Sequence, residues 1–185
     1  MNIAVIFGSH RLGGTNRNLE TMLKTFSDRH VFRFFHMADC PVEGCTSCHQ
    51  CGTAGHCVLP PSERDHFQEV FDAMATADAI FIITPVYAVI PSRLTALLER
   101  LTSVLYDTGR MNTDDNPLLN KKVAVFSYCS CKICDDRDLK LIFDKFVTKD
   151  YSFEHSTYPY LNSCENPNER YDGIAAYIKD VIAAL

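Results

Sequence analysis

Apolar residues recur along this chain in two alternating rhythms, short unbroken runs and longer stretches spaced by three or four, and that alternation predicts its architecture. The segment Asn2–Phe7 is a β-branched, apolar run that stops at Gly8 and reads as a buried strand. Leu19, Met22, Leu23 and Phe26 follow at helical spacing, with Thr15 or Asn16 placed to cap the helix. A second strand covers residues 31–35, and a long connection over about residues 37–62 leads to a helix marked by Phe67, Val70, Phe71 and Met74. Residues 79–84 form a continuous apolar strand of the kind buried on both faces of a parallel sheet, and Pro85-Val86-Tyr87 ends it. Leu94, Leu97, Leu98, Leu101 and Leu105 stripe a long helix with Ser92 as its cap, and residues 112–120 are a polar, proline-bearing surface connection. Residues 123–127 read as a fourth strand, Leu139, Ile142, Phe143 and Phe146 as a fourth helix, and residues 151–158 as a weak fifth strand. Ile174, Ala175, Ile178 and Ile182 form the buried face of a last helix.

Five strands alternating with five helices predict an α/β fold, a doubly wound parallel sheet with helices on both faces, in one domain over residues 1–185. Ligands of such sheets bind beyond the carboxyl ends of the strands, where strand order reverses. The loops after the first, third and fourth strands are therefore the candidate site.

Composition narrows the partner. A net charge of -5 leaves no broad basic footprint, which argues against nucleic acid and anionic membrane surfaces and for a small molecule. The first residues lack the basic n-region of a signal peptide, and no apolar run approaches membrane-spanning length, so a cytoplasmic location is expected. Nine cysteines in a reducing compartment point to metal, cluster or redox roles instead of a disulfide framework.

The loop from Gly8 to Asn16, Gly-Ser-His-Arg-Leu-Gly-Gly-Thr-Asn, suits an anion. Its glycines allow close backbone approach, Ser9, Thr15 and Asn16 offer side-chain donors, Arg11 adds charge, and the next helix aims its N-terminus at the ligand. It matches neither Gly-x-Gly-x-x-Gly nor the Gly-Lys-Ser/Thr ending of a triphosphate loop, so a monophosphate fits best. After the third strand, two prolines stiffen Thr84-Pro85-Val86-Tyr87-Ala88-Val89-Ile90-Pro91, and Tyr87 supplies a flat face for stacking.

Four cysteines, Cys45, Cys48, Cys51 and Cys57, lie within thirteen residues of the long connection. Their Cys-x2-Cys-x2-Cys-x5-Cys spacing lets one loop surround a single centre, and the same thiolates could hold an iron-sulfur cluster, hold zinc or carry out disulfide chemistry. His49 and His56 in that loop are alternate ligands or exposed loop histidines. Cys129, Cys131 and Cys134, after the fourth strand, either exchange electrons with a bound group or line its pocket, and Cys40 and Cys164 read as structural.

Gly8-Ser9-His10-Arg11 with the Gly-Gly-Thr-Asn after it, Ala77-Asp78-Ala79-Ile80 leading into Thr84-Pro85-Val86-Tyr87, and Leu97-Leu98-Glu99-Arg100 together resemble the NAD(P)H-dependent FMN reductase family of flavodoxin-like proteins. The resemblance implies a five-stranded sheet in the order 2-1-3-4-5, and FMN as cofactor. It places Ser9, Arg11, Gly14, Thr15 and Asn16 around the phosphate and Pro85, Val86, Tyr87, Ala88, Ser127 and Tyr128 along the ring. It further implies NAD(P)H as donor, a small-molecule or quinone-like acceptor, and a homodimer or homotetramer. The chain departs from the family pattern in having Thr15-Asn16 where Asn-Thr is usual, Ala88-Val89 after the tyrosine, and Thr95 and Glu99 for a lysine and an aspartate. Tyr128-Cys129-Ser130-Cys131-Lys132-Ile133-Cys134 stands where a glycine-rich segment is usual.

The cysteine spacing also resembles the motif of the iron-sulfur flavoproteins, which implies a four-iron four-sulfur cluster at Cys45, Cys48, Cys51 and Cys57 beside FMN. The leading expectation is an FMN-dependent NAD(P)H oxidoreductase that needs no side chain as acid or base. One alternative is an electron carrier in which the cluster relays electrons between a ferredoxin-like protein and FMN. Another is a non-catalytic flavodoxin-like module with a structural metal.

Overall fold

A computed structural model of the chain describes residues 1–86, 90–111, 113–119, 121–129, 155–157, 160–162 and 167–185. Its centre is a parallel sheet in which β1 (Asn2–Phe7) pairs on one side with β2 (Val31–His36) and on the other with β3 (Ala79–Val86), and β3 pairs with β4 (Lys122–Cys129). The edge beyond β4 is two three-residue segments, β5 (His155–Thr157) and β6 (Tyr160–Asn162), both parallel to β4. The described strands follow the expected order as far as β2-β1-β3-β4, with β5 and β6 both beside β4 in one register.

Alternation along the strands divides the core into two layers. Ile3, Val5 and Phe7 of β1, with Phe81 and Phe126, pack against Leu19, Met22 and Leu23 of α1 (Thr15–Lys24) and Ile174, Ile178 and Ile182 of the C-terminal helix (Pro167–Ala184). Ala4, Ile6, Ile80, Ile82 and Val125 face the other way. They meet Phe67, Val70 and Met74 of the helix Phe67–Thr76 and the leucine stripe of the helix Ser92–Asp107. Every residue of β3 is buried, which is why its sequence is an apolar run without alternation. Among the described residues no helix is long and apolar enough to cross a membrane.

Several elements differ from expectation. The cysteine connection contains a four-residue helix, α2 (Cys51–Ala54), so the two helices on that face are α3 (Phe67–Thr76) and α4 (Ser92–Asp107) and the C-terminal helix is α5. Neither Thr15, Asn16 nor Ser92 caps its helix: Gly14 and Pro91 hold the N-cap positions, and neither helix start carries a side-chain cap. β3 runs through Pro85 to Val86 instead of stopping at Thr84. β1 pairs with β3 only as far as Phe7 opposite Ile83, so Pro85 has a strand neighbour on one side only, a place where a missing N–H is tolerated. The helix expected around Leu139 to Phe146 lies outside the described residues.

Gly8 is where β1 turns out of the sheet. Its N–H donates to the Ile83 carbonyl at 2.8 Å, and a Cβ there would lie 2.6 Å from Thr84 Oγ1 and 2.9 Å from Leu94 Cδ2. Both neighbours are buried and hemmed in, so Gly8→Ala is expected to cost about 1–3 kcal/mol of stability, measured by urea unfolding. A variant as stable as the parent would mean that the β1 and β3 ends are not packed this closely.

Candidate active site

The carboxyl ends of β1, β3 and β4 lie side by side, and the polar residues in them are buried. Ser9, Thr84 and Ser127 are each at most 5% exposed, with Thr84 and Ser127 directly opposed across the β3–β4 ladder. The Ser9 Oγ accepts the Arg11 N–H at 3.0 Å, which folds the start of the loop back on itself and leaves the Arg11 side chain exposed. Gly14 adopts φ 64° and ψ -133°, a conformation L side chains rarely take, and turns the chain into α1. Nothing lies within 4 Å of a Cβ placed on Gly13 or Gly14, so the backbone there is open to a close-approaching ligand.

Helix α1 begins without a side-chain cap and has no acidic residue in its first turn. The first-turn N–H groups have no intrahelical partner, and with the helix dipole they favour an anion at this end. Asn16, 1% exposed, accepts a hydrogen bond at Oδ1 from the Tyr128 hydroxyl at 2.8 Å, tying the first turn of α1 to the end of β4. His10 Nε2 lies 3.4 Å from Ser92 Oγ, connecting the loop to the start of α4. Burial, then the nearby Arg93 charge, lowers the pKa of His10, favouring the neutral ring.

The expected ligand-binding residues therefore divide clearly. Ser9, Gly14, Thr15, Asn16, Val86, Ser127 and Tyr128 are gathered on or beside these strand ends, Pro85 is buried within β3, and Arg11 projects from the loop. Tyr87 and Ala88 lie outside the described residues, as do Cys131, Cys134 and Cys164. Sequence reasoning missed Thr84 as part of the buried hydroxyl row. Its signal was one polar residue closing an otherwise apolar strand.

The cysteine loop occupies a different place, against the outer surface of α4. Arg100 of α4, 1% exposed, anchors it: Nη1 donates to Asp65 Oδ1 and Oδ2 at 2.6 and 2.7 Å and to the Glu43 carbonyl at 3.3 Å. Nη2 donates to Cys57 Sγ at 3.0 Å, and the guanidinium sits 4.2 Å above the Phe67 ring. Burial opposes the Arg100 charge, but the hydrogen bonds it donates to Asp65 and Cys57 outweigh it and hold its pKa above the ordinary value. Glu99, the departure from the family's aspartate, accepts the Cys45 N–H at 3.4 Å, so this residue belongs to the cysteine loop.

Cys45, Cys48, Cys51 and Cys57 all line one cavity of about 10 Å³ between loop and helix, with Asp107 at its side. That is room for about one water molecule. Among the described residues no three His, Cys, Asp or Glu side chains converge as metal ligands. The four-iron four-sulfur cluster expected at these cysteines is not supported by this arrangement, in which Cys57 Sγ faces Arg100 and Cys45 Sγ accepts the Ser47 N–H at 3.4 Å.

The thiols are chemically unequal. Burial, reinforced by Cys57, Asp107 and Cys48, pushes the Cys51 thiol up to about 11, whereas hydrogen bonds from the Gln50 backbone and the Thr46 hydroxyl lower that of exposed Cys48. Burial and the Glu69 and Asp39 charges raise Cys40. Because the thiolate is the nucleophile, Cys48 is expected to be alkylated by iodoacetamide first and Cys51 last at neutral pH, as read by peptide mass spectrometry. Cys51 reacting before Cys48 would contradict the arrangement.

A doubly wound parallel sheet with an anion-accepting glycine loop after its first strand defines a mononucleotide-binding α/β protein. The family model described as NADPH-dependent FMN reductase matches residues 1–135. The chain belongs to that family, and its activity class is FMN-dependent NAD(P)H oxidoreductase. A comparison with curated proteins finds no match. Among solved structures, an NAD(P)H:quinone oxidoreductase from Methanothermobacter marburgensis superposes with a TM-score of 0.64 at 12% identity, covering 96% of this chain and 94% of that one. General stress protein 14 from Treponema denticola, solved in complex with FMN, has a TM-score of 0.64 at 12% identity over 100% of this chain and 99% of that one. Flavodoxin 1 from Bacillus cereus has 0.54 at 12%, covering 100% and 99%. At such identities these likenesses establish the flavodoxin-like α/β fold.

Proposed function

We propose that this protein binds FMN at the carboxyl ends of β1, β3 and β4 and passes electrons from NAD(P)H to a small-molecule, quinone-like acceptor. The observation that carries the reading is the open glycine turn at Gly13-Gly14 leading into an uncapped α1, beside the buried hydroxyls of Ser9, Thr84 and Ser127. The first-turn N–H groups of α1, with Thr15, Asn16 and the Arg11 guanidinium, hold the phosphate by charge-assisted hydrogen bonds. Gly14 lets the backbone approach it. Pro85, Val86, Ser127 and Tyr128 form the wall along the ring, to which the family resemblance adds Tyr87 and Ala88, and the Asn16–Tyr128 hydrogen bond keeps phosphate loop and wall in register.

When bound, FMN supplies two-electron chemistry, taking hydride from NAD(P)H and handing electrons to the acceptor. The chain's own work is placement, and no side chain needs to move a proton. Arg11, exposed on the loop rim, is positioned to meet the charged end of either phosphate ligand. The quinone-like acceptor is suggested by the structural neighbour whose name specifies that activity, and a homodimer or homotetramer by the family resemblance.

Anaerobic stopped-flow of the FMN-loaded chain tests this directly. Bleaching of the bound flavin by NADPH or NADH, followed by reoxidation with a soluble quinone, is the expected result. A flavin that binds but is reduced by neither nucleotide would overturn the reductase reading. Sedimentation of the loaded protein reads the oligomer.

A further inference from the structure

Four thiols beside α4 lie apart from the carboxyl ends of β1, β3 and β4, and among the described residues they do not converge as metal ligands. We propose that Cys48, Cys51 and Cys57 form a thiol–disulfide exchange site for low-molecular-weight disulfides, with exposed Cys48 as the entry thiol and Cys51–Cys57 as the bond finally formed.

The three sulfurs are graded from solvent to interior. Cys48 is exposed and lies between Ser47 and His49, whose φ values of 52° and 54° put two non-glycine residues in the left-handed region. Such backbone is costly, and it persists where surrounding structure over-determines it, commonly at functional sites. Cys51 is 5% exposed, opens α2, and lines the same small cavity as Cys57. Cys57 is half-buried and receives the Arg100 Nη2 hydrogen bond. The three thiols line one small cavity of about 10 Å³ between the loop and α4, beside Arg100 and Asp107, which brings them to a common centre. Arg100, gripped by both Asp65 oxygens, holds a fixed positive charge against Cys57, where it stabilises negative charge on sulfur as bonds exchange.

The sequence of bonds balances without another reagent. Cys48, its proton released to water, attacks one sulfur of a disulfide RSSR, forming Cys48–S–S–R and expelling RS⁻, which takes a proton from water. Cys51, its proton likewise passing to water, attacks Cys48 Sγ and expels the second RS⁻, which is protonated in turn. Cys57, deprotonated to water, attacks Cys51 Sγ, closing Cys51–Cys57 and releasing Cys48, which regains a proton. Two protein thiols are oxidised, and one disulfide is reduced to two thiols. Such a bond is transient in a reducing compartment, as an exchange site requires.

The test uses the full-length, FMN-loaded chain, reduced, desalted and mixed with glutathione disulfide at neutral pH. Acid quench, alkylation and peptide mass mapping then locate each sulfur, alongside iron, zinc and sulfide analysis of the protein as purified. The expected product has Cys51 linked to Cys57, with Cys45 and Cys48 alkylated as free thiols. Cys57→Ser should stop the relay at a Cys48–Cys51 bond, and Cys48→Ser, an exposed change that leaves the fold intact, should slow oxidation at least about tenfold. Lack of reaction, a persistent glutathione adduct on Cys48 in the parent protein, an unslowed Cys48→Ser variant, or stoichiometric metal shielding the thiols would each overturn the proposal. Flavin reduction by NAD(P)H is untouched by any of these outcomes.

Discussion

Asp65→Ala is expected to lower the unfolding free energy by about 3–5 kcal/mol, the largest loss of any single substitution on the cysteine-loop face. The Arg100 and Asp65 side chains are only 2% and 7% exposed, and both Asp65 oxygens accept from Arg100 Nη1. Removing the carboxylate leaves a guanidinium with no countercharge in a nearly dry site. The remaining Glu43 carbonyl and Phe67 ring are too weak to replace it. Asp65 also accepts the Phe67 N–H at 3.3 Å, so the start of α3 loosens as well. The double variant Asp65→Ala with Arg100→Met should recover much of the loss, because an apolar side chain of similar length needs no countercharge. Urea unfolding of both variants checks this, and a single-variant loss below about 1 kcal/mol would show that the pair is hydrated.

Thr15→Glu is expected to weaken FMN binding about 100-fold, near 2.7 kcal/mol, while leaving the free protein slightly more stable. Thr15 is the first residue of α1, whose first turn carries no acidic side chain. A glutamate there sits favourably at the positive end of the helix dipole and should add about 0.3–1 kcal/mol to the free chain. The same charge opposes the ligand phosphate. Opposite signs in the two measurements separate a lost binding site from a damaged fold. Isothermal titration and thermal unfolding read them, and loss of both affinity and stability would contradict the assignment of the α1 N-terminus.

Periodicity in the sequence revealed the strands and helices of both core layers because each strand or helix buries a continuous apolar pattern. Leu19, Met22 and Leu23, or the unbroken β3, could pack in few other ways. Helix ends were less legible. Thr15 and Ser92 are good capping residues, yet glycine and proline hold the caps, which leaves the α1 start open for a ligand. The extension of β3 through Pro85 depended on where β1 leaves the sheet, which is a tertiary fact.

The phosphate loop was readable because its residues are contiguous. The cysteine loop was not, because its character depends on Arg100 and Asp65, 35 residues apart in sequence. Cysteine spacing alone left a cluster, zinc or disulfide chemistry open, and the resemblance to iron-sulfur flavoproteins added the cubane. The buried guanidinium facing Cys57 and the small cavity the thiols share came only with the fold.

The central claim is that the Gly8–Asn16 loop and the start of α1 hold the phosphate of FMN. Calorimetric titration of the flavin-free chain with FMN and with riboflavin, which differ only in that phosphate, tests it most directly. FMN is predicted to bind at least about 100-fold more tightly, with the difference shrinking as salt is raised. Affinities equal within about threefold would contradict the account.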